Sequence, residues 1–455
     1  MEPVHERRKG GSAAEPATLR AYTALTAGLT PILHLSQPLL RRYGGFKDTV
    51  PERLGRFSPA LDKLQDDRRE RGLVWIHAVS VGEAAVAGAI IGALRARRGD
   101  ALVAVSTGTL TGRDYARRNL SPDALFFFPL DLPSVMRKLV AKLRPDCFVD
   151  IEVELWPNCF RALGEAGVAM ALANGRISDR AMYPPLIARS LYRWLLGRFD
   201  ALFMRSEEDV RRAVALGAPK DRTHLAGDLK FAAAGGPLEP EERSSLRRFL
   251  GVGEGGKLLV AGSTHPGEEE KILEAWKRLN DGSLGANLGP VSLVIAPRHL
   301  EQVARVSGLV RQTGEGCALW TQSRDAGGVP EGVRVLVVDA IGELGRLYGA
   351  ADAAFVGGSL VPRGGHNVLE PVAAGVPTLH GPWMDNFRDL VRILSPAGLV
   401  MEVLSADDLA KSLCRVLAEV DLGDFRRRAR DVIERQVKAA DMIGDWVAAN
   451  LKASK

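Results

Sequence analysis

From Val74 onward the chain alternates between two patterns of apolar and polar positions. Short runs in which nearly every residue is apolar and β-prone give way to stretches with apolar residues three and four apart. The first kind comprises VWIHAVSV, ALVAVSTGT, ALFFFPLD, CFVDIEVE, AMALANGR, ALFMRS and THLAG, and the second includes residues 83–97 and 133–143. Strands that are apolar on both sides are covered on both sides, so this alternation predicts a parallel sheet between two helical layers. A Gly/Pro-rich stretch, AAAGGPLEP at 232–240, interrupts the rhythm. It then restarts with KLLVAGST, VSLVIAP, CALWTQS, VRVLVVDA, AAFVGGS, VPTLHG and GLVMEV. The pattern predicts two doubly wound α/β domains, residues 44–232 and 246–430, joined by a linker at 233–245 and followed by a helix at 431–455. Two such domains make a cleft, and ligands of such sheets sit outside the carboxyl ends of the strands.

The N-terminus has a different texture. Residues 1–17 are polar, and 18–43 are apolar but broken by Pro31, His34, Gln37 and Pro38, with Arg41, Arg42 and Lys47 at one end. That is too polar for a membrane-spanning helix and fits a helix lying on an anionic membrane surface; a packed amphipathic helix is the rival. Acidic residues in the first stretch argue against a signal or transit peptide.

Composition narrows the classes. With 455 residues, 46% hydrophobic and 25% charged, the chain suits a soluble protein of roughly two or three domains. The net charge of +6 comes without a Lys/Arg arm, and aromatics are 6%, which excludes a base-stacking nucleic-acid platform. Cys147, Cys159, Cys317 and Cys414 are widely spaced, which fits buried thiols better than disulfides or zinc ligands, and no HExxH or CxxC motif is present.

The candidate chemistry lies in the loops after the strands. GGSLVPRGGHNVLEP at 357–371 places two glycine pairs between a strand and a helix expected to start near Asn367. Glycines allow close backbone approach, a helix N-terminus attracts phosphate, and Glu370 suits ribose hydroxyls. Arg298, in Pro297-Arg298-His299, ends another strand where a guanidinium can grip a phosphate. Ile341-Gly342-Glu343 and His265-Pro266-Gly267-Glu268 end two more. In the first half, Ser80 and Glu83 in SVGE fit a capping box or a catalytic carboxylate. Glu152 and Glu154 end a buried strand, a costly position unless paired or functional. Asn174-Gly175-Arg176 follows, and Lys230 lies in GDLKF. Acids and bases on one rim point to acid/base chemistry on an anionic substrate.

HAVSVGE, EVELWPN, NGRIS, GDLKF, STHPGEE, PRH and GGSLVPRGGHNVLEP…GP…NF, taken in order, resemble the 3-deoxy-D-manno-octulosonic acid (Kdo) transferases of lipopolysaccharide synthesis. The likeness spans about residues 44–387. It implies the GT-B fold of two Rossmann-like domains facing a cleft, with an N-terminal membrane-associating helix. It implies an inverting transfer of Kdo from CMP-Kdo to a lipid A precursor (lipid IVA), without metal or cofactor, at the cytoplasmic face of the inner membrane. Carried over by motif, Glu83 is the proton acceptor, and Glu152 and Lys230 stabilise the transition state. CMP is contacted by Pro297, Arg298, Ile341, Gly342, Glu343, Asn367, Val368, Leu369 and Glu370. The chain departs from the pattern at Val153, where the family has Thr, and at Val368, where it has Pro. A GT-B transferase using a UDP- or GDP-sugar is the alternative; no GxGxxG follows a strand as a nicotinamide enzyme would need.

Overall fold

The computed structural model describes residues 14–37, 49–58, 61–62, 64, 71–182, 185–284 and 288–452. The polar start at 1–13 and the basic end of the proposed membrane segment, at 38–48, lie outside the described residues.

Each apolar run becomes a strand. The first seven are β1 (Leu73–His77), β2 (Leu102–Thr107), β3 (Ala124–Phe127), β4 (Cys147–Ile151), β5 (Ala169–Gly175), β6 (Ala201–Met204) and β7 (Thr223–Leu225). They form a parallel sheet in the order β3-β2-β1-β4-β5-β6-β7. The second seven are β8 (Lys257–Thr264), β9 (Val291–Pro297), β10 (Cys317–Leu319), β11 (Val335–Val337), β12 (Ala353–Val356), β13 (Thr378–His380) and β14 (Val400–Glu402). They form a second parallel sheet, β10-β11-β9-β8-β12-β13-β14. Strand order reverses between β1 and β4 and between β8 and β12. Those two points are where open α/β sheets leave a crevice at their carboxyl ends.

Both faces of each sheet are core, which explains why the strands read as continuous apolar runs. In the first sheet Val74, Ile76, Val103 and Val149 pack under the helix Val81–Arg97, with Ile443, Trp446 and Val447 of the last helix. The opposite face carries Trp75, Phe126, Phe148 and Phe160 and takes in Leu19 of the N-terminal helix. The second sheet has Leu259, Leu293 and Trp276 on one side and Val260, Val294 and Tyr348 on the other.

Three boundaries differ from the sequence expectation. The chain divides into residues 1–233 with 435–455, and residues 234–434. The linker is shorter than 233–245, because Pro240 opens a helix, Pro240–Phe249, whose Arg243 and Arg247 bind Asp352 at 3.0 and 2.8 Å. The last helix is Leu422–Asn450 rather than 431–455, and its second half belongs to the first unit. There Arg97 pairs with Asp441 and Asp445, and Gln436 accepts the Asp228 N–H.

The N-terminal helix, Ala17–Leu35, ends short of residue 43 among the described residues and is docked along one face. Tyr22 donates to Asp131 at 3.1 Å, and Thr23 donates to Asn158 at 2.8 Å. Asn158 donates to Thr26 at 3.0 Å. Asp131 also accepts the first N–H groups of the helix Pro157–Glu165, from Asn158 and Cys159. Leu25, Leu29, Ile32 and Leu35 are 64%, 41%, 60% and 82% exposed. Packing and an outward apolar stripe therefore coexist on one helix. Among the described residues, no helix is long and apolar enough to cross a membrane.

Candidate active site

The first unit collects carboxylates at the reversal between β1 and β4. Ser80 is extended and caps the helix Val81–Arg97, its hydroxyl accepting the Glu83 N–H. The Glu83 carboxylate turns back, taking the Val79 N–H at 2.7 Å and the Ser80 hydroxyl proton at 2.9 Å. This is a capping-box arrangement shifted by one residue, so the capping role and a chemical role fall on the same atoms. Burial pushes the Glu83 carboxyl above its ordinary value, and the charge of Glu152 adds to the rise against the local hydrogen bonds.

Glu152, just past β4, sits at φ +64°, a left-handed conformation uncommon for a residue with a side chain. Its N–H is held by the Ala173 carbonyl at 2.9 Å, and Oε1 faces Lys230 Nζ at 3.5 Å. Lys230 opens the short helix Lys230–Ala233, in a loop fixed by Asn174, whose side chain accepts the Leu229 N–H at 2.9 Å. The NGR and GDLK motifs are thus two halves of one support. Glu154 is raised by burial and by the charges of Glu83 and Glu152.

Sequence reasoning passed over Asp150, which lies inside β4 and reads as part of an apolar strand. It is fully buried; Oδ2 accepts the Glu154 N–H at 3.1 Å, and Oδ1 has no protein partner. Burial pushes its carboxyl well up, with Glu154 and Glu83 adding to the effect. Its register partner His77 is buried too, with Nδ1 3.0 Å from Ser106 Oγ and its ring 4.1 Å from Phe128, and burial lowers it to about 3. An acid in an otherwise apolar strand, one residue from its end, was the available signal.

The second unit is basic at the equivalent end. A cavity of about 510 Å³ in the first unit is lined by Val153, Leu155, Arg176 and Tyr192 among others. Its counterpart here, about 500 Å³, is lined by Pro297, Arg298, His299, Ile341, Gly342 and Leu344 among others. Four of the nine residues predicted to hold CMP therefore meet at one cavity. Ile341 projects with 87% of its surface exposed, and Glu343 precedes the helix Leu344–Ala350. The exposed Glu370 accepts from Asn367 Nδ2 at 3.1 Å; crowding raises its carboxyl, while Asn367 and Arg298 oppose the rise.

Other expectations for this loop need correction. The helix begins at Leu369 rather than Asn367 and runs only to Ala373, and the Asn367 side chain already occupies the Leu369 N–H. A one-turn helix offers little dipole to a phosphate. Val368 and Leu369 are buried, so their side chains serve the core, and only backbone groups there are available to a ligand. The glycine pairs answer to the protein itself. A Cβ on Gly357 would meet the Ser263 carbonyl at 2.5 Å, and one on Gly365, at φ +74°, would meet Met384 at 2.3 Å. What shapes the loop is Glu268, buried one strand away. Its carboxylate accepts the N–H groups of Gly358, Ser359 and Leu360 at 2.7–2.9 Å and of His265 at 3.0 Å.

Among the described residues no group of His, Cys, Asp and Glu is arranged to hold a metal ion.

Comparison with known proteins adds independent findings. A family model described as 3-deoxy-D-manno-octulosonic-acid transferase (kdotransferase) matches residues 48–233. A 3-deoxy-D-manno-octulosonic acid transferase of Bordetella pertussis is 30% identical over 446 residues, 94% of this chain and 99% of that protein. A bifunctional glycosyltransferase/methyltransferase of Fusobacterium nucleatum is 29% identical over 351 residues, 76% of this chain; the match spans 53% of that longer protein. Among solved structures, the UDP-GlcNAc 2-epimerase of Neisseria meningitidis superposes with a TM-score of 0.55 at 13% identity, over 82% of this chain and 98% of that one. That likeness is one of fold.

Proposed function

Since the chain belongs to the 3-deoxy-D-manno-octulosonic acid transferase family and is a glycosyltransferase, we propose that it transfers Kdo from CMP-Kdo to the phosphorylated glycolipid lipid IVA in lipopolysaccharide synthesis, with inversion at the transferred carbon. The observation that carries this reading is Glu83: a buried carboxylate, raised by burial and by Glu152, at the switch point of the first sheet. A carboxylate whose affinity for a proton is raised is better suited to remove a hydroxyl proton than an ordinary one. In a single displacement, the acceptor oxygen bonds to the Kdo carbon as the bond from that carbon to the CMP phosphate oxygen breaks, and Glu83 takes the hydroxyl proton. Glu152, paired with Lys230, offers a carboxylate toward the positive charge developing on the sugar.

Nucleotide recognition falls to the second unit. Arg298 offers the guanidinium for the departing phosphate, and Ile341 with Leu344 forms an apolar wall for a base. Glu370 and the backbone at Asn367–Leu369 border the ribose. The outward stripe Leu25, Leu29, Ile32 and Leu35 supports attachment to the anionic cytoplasmic face of the inner membrane without spanning it. Changing these four to Ser should release the protein from anionic vesicles and leave its fold intact, since none is buried. Unaltered flotation would remove the stripe from the membrane contact.

The test of the function is product analysis after mixing the protein with CMP-Kdo and tetra-acylated lipid IVA, with UDP- and GDP-sugars in parallel. A Kdo-bearing lipid only in the CMP-Kdo reaction is expected. Transfer from a UDP- or GDP-sugar with none from CMP-Kdo would overturn the donor assignment.

A further inference from the structure

Three histidines stand beside Arg298 without being part of any role so far assigned. His265 follows β8, His299 follows β9, and His366 lies in the loop after β12. His265 Nε2 and His366 Nε2 are 2.9 Å apart with their rings parallel, 2° between planes and 5.1 Å between centres. Two imidazole nitrogens at that distance share one proton, so one ring donates and the other accepts. The His299 ring stands edge-on to His265 at 5.8 Å. The arrangement is built rather than incidental. Glu268 fixes both loops through the N–H groups of His265 and of Gly358 to Leu360, and the Gly358 carbonyl accepts the Gly365 N–H next to His366 at 2.8 Å.

The charges facing this pair are almost all of one sign. His265 feels His299, Arg363 and Arg298, and His366 feels Arg298, His265 and His299. The nearest carboxylate on the same loop, Glu370, lies within reach of Arg298, and Glu268 is turned inward onto backbone donors. Burial first, then these cations, lower both imidazoles, His366 to about 4. Two guanidinium groups and three imidazoles thus converge on one place, the set of donors that recognises an oxyanion.

We propose that His265, His299 and His366, with Arg298 and Arg363, form an oxyanion subsite next to the Arg298 cavity, and that it takes a phosphate or carboxylate group of the sugar nucleotide. This assignment rests on the donor reading above, and it adds the groups that hold the anionic part of the donor. The shared His265–His366 proton makes the subsite adjustable. An arriving oxyanion offsets the cationic repulsion that adds to burial in lowering the imidazoles, so binding draws in a proton, and by reciprocity anions bind more tightly as pH falls.

Histidine Cε1–H resonances of the full chain, titrated with pH in the presence of CMP, cytidine, free Kdo or inorganic phosphate, test this directly. The expectation is that His366 titrates at higher pH with at least one of the anions and is unmoved by cytidine. Movement with CMP and phosphate identifies the phosphate as occupant, and movement with Kdo alone identifies the carboxylate. His366→Gln and His265→Gln should each weaken binding of that anion at least tenfold and leave cytidine binding as it was. CMP binding with every histidine unmoved, or with both variants binding as the parent does, would overturn the subsite while leaving the donor reading standing. If neither CMP nor Kdo binds, the donor reading falls, and inorganic phosphate alone decides the subsite: a shift of His366 upholds it and no shift overturns it.

Discussion

At the carboxyl ends of β1 and β4 the first unit carries Glu83, Asp150, Glu152 and Glu154, with Lys230 paired to Glu152, whereas at the ends of β8, β9 and β12 the second carries Arg298, Arg363 and three histidines, with Glu370 beside Arg298. Both sheets have seven parallel strands and a switch point beside their first strand, although the second doubles back once more where β11 inserts between β9 and β10. The scaffold is shared, and the loops decide the chemistry. The buried acids sharpen the contrast. Glu268 is surrounded by four backbone N–H donors that oppose the rise burial imposes, so it acts as a fixed structural anchor. Asp150 has one such donor and one bare oxygen, so burial dominates and its carboxyl is pushed far up. On the proposed reading the acidic end serves proton transfer and the basic end holds an anion.

This division can be broken at either end. The largest effect is expected at Glu83: Glu83→Gln should slow transfer by about 10²–10⁴ because an amide cannot take the proton. The same change forfeits one of the two hydrogen bonds to Val79 and Ser80, about 1 kcal/mol of stability. CMP affinity, measured by calorimetry, should be that of the parent. At the basic end, Arg298→Ala should weaken CMP binding by about 1.5–3 kcal/mol, roughly tenfold or more, with an unchanged melting temperature because the side chain is exposed. Equal CMP affinity would take Arg298 out of the site.

Two smaller effects probe the surroundings of the acidic end. Asp131 holds the N-terminal helix, and burial pushes its carboxyl up from 3.8 to about 6 against bonds from Asn158, Cys159 and Tyr22. The protonated form is therefore favoured in the fold; the linked stability is complete below pH 3.8 and is lost as pH rises through 6. Asp131→Ala should lower stability by about 2 kcal/mol in a denaturant titration and abolish that pH dependence. Glu152→Gln removes one of the charges that raise Glu83, so the acid limb of the transfer rate should move to lower pH. A limb that stays put would uncouple the two carboxylates.

Much of this was legible in the chain. Among the described residues the strands fall within the runs read from the sequence, and most are apolar throughout because a sheet covered on both sides leaves no polar alternation to misread; the edge strand β7, Thr-His-Leu with Leu225 exposed, is an exception. The loops were legible as a set of polar residues at strand ends. Less visible was anything that depends on which backbone a side chain finds. Glu268 reads as one more polar loop residue, and only the fold shows it gripping the loop ninety residues on. Val368 and Leu369 lie in the stretch expected to contact CMP, yet both side chains are buried in the core. The last helix returns to the first unit through apolar residues such as Trp446, whose partners on β1 and β4 are far away in sequence.

The account turns on Glu83 being a base as well as a cap, and single-turnover transfer rates of the parent and Glu83→Gln across the acid and neutral range test that most directly. The account predicts a parent rate that climbs through an acid limb above the ordinary glutamate range, and a variant slower by about 10²–10⁴ whose rate has lost that limb. A variant within a few-fold of the parent, with the limb in place, would contradict it and leave Glu83 as the cap of its helix.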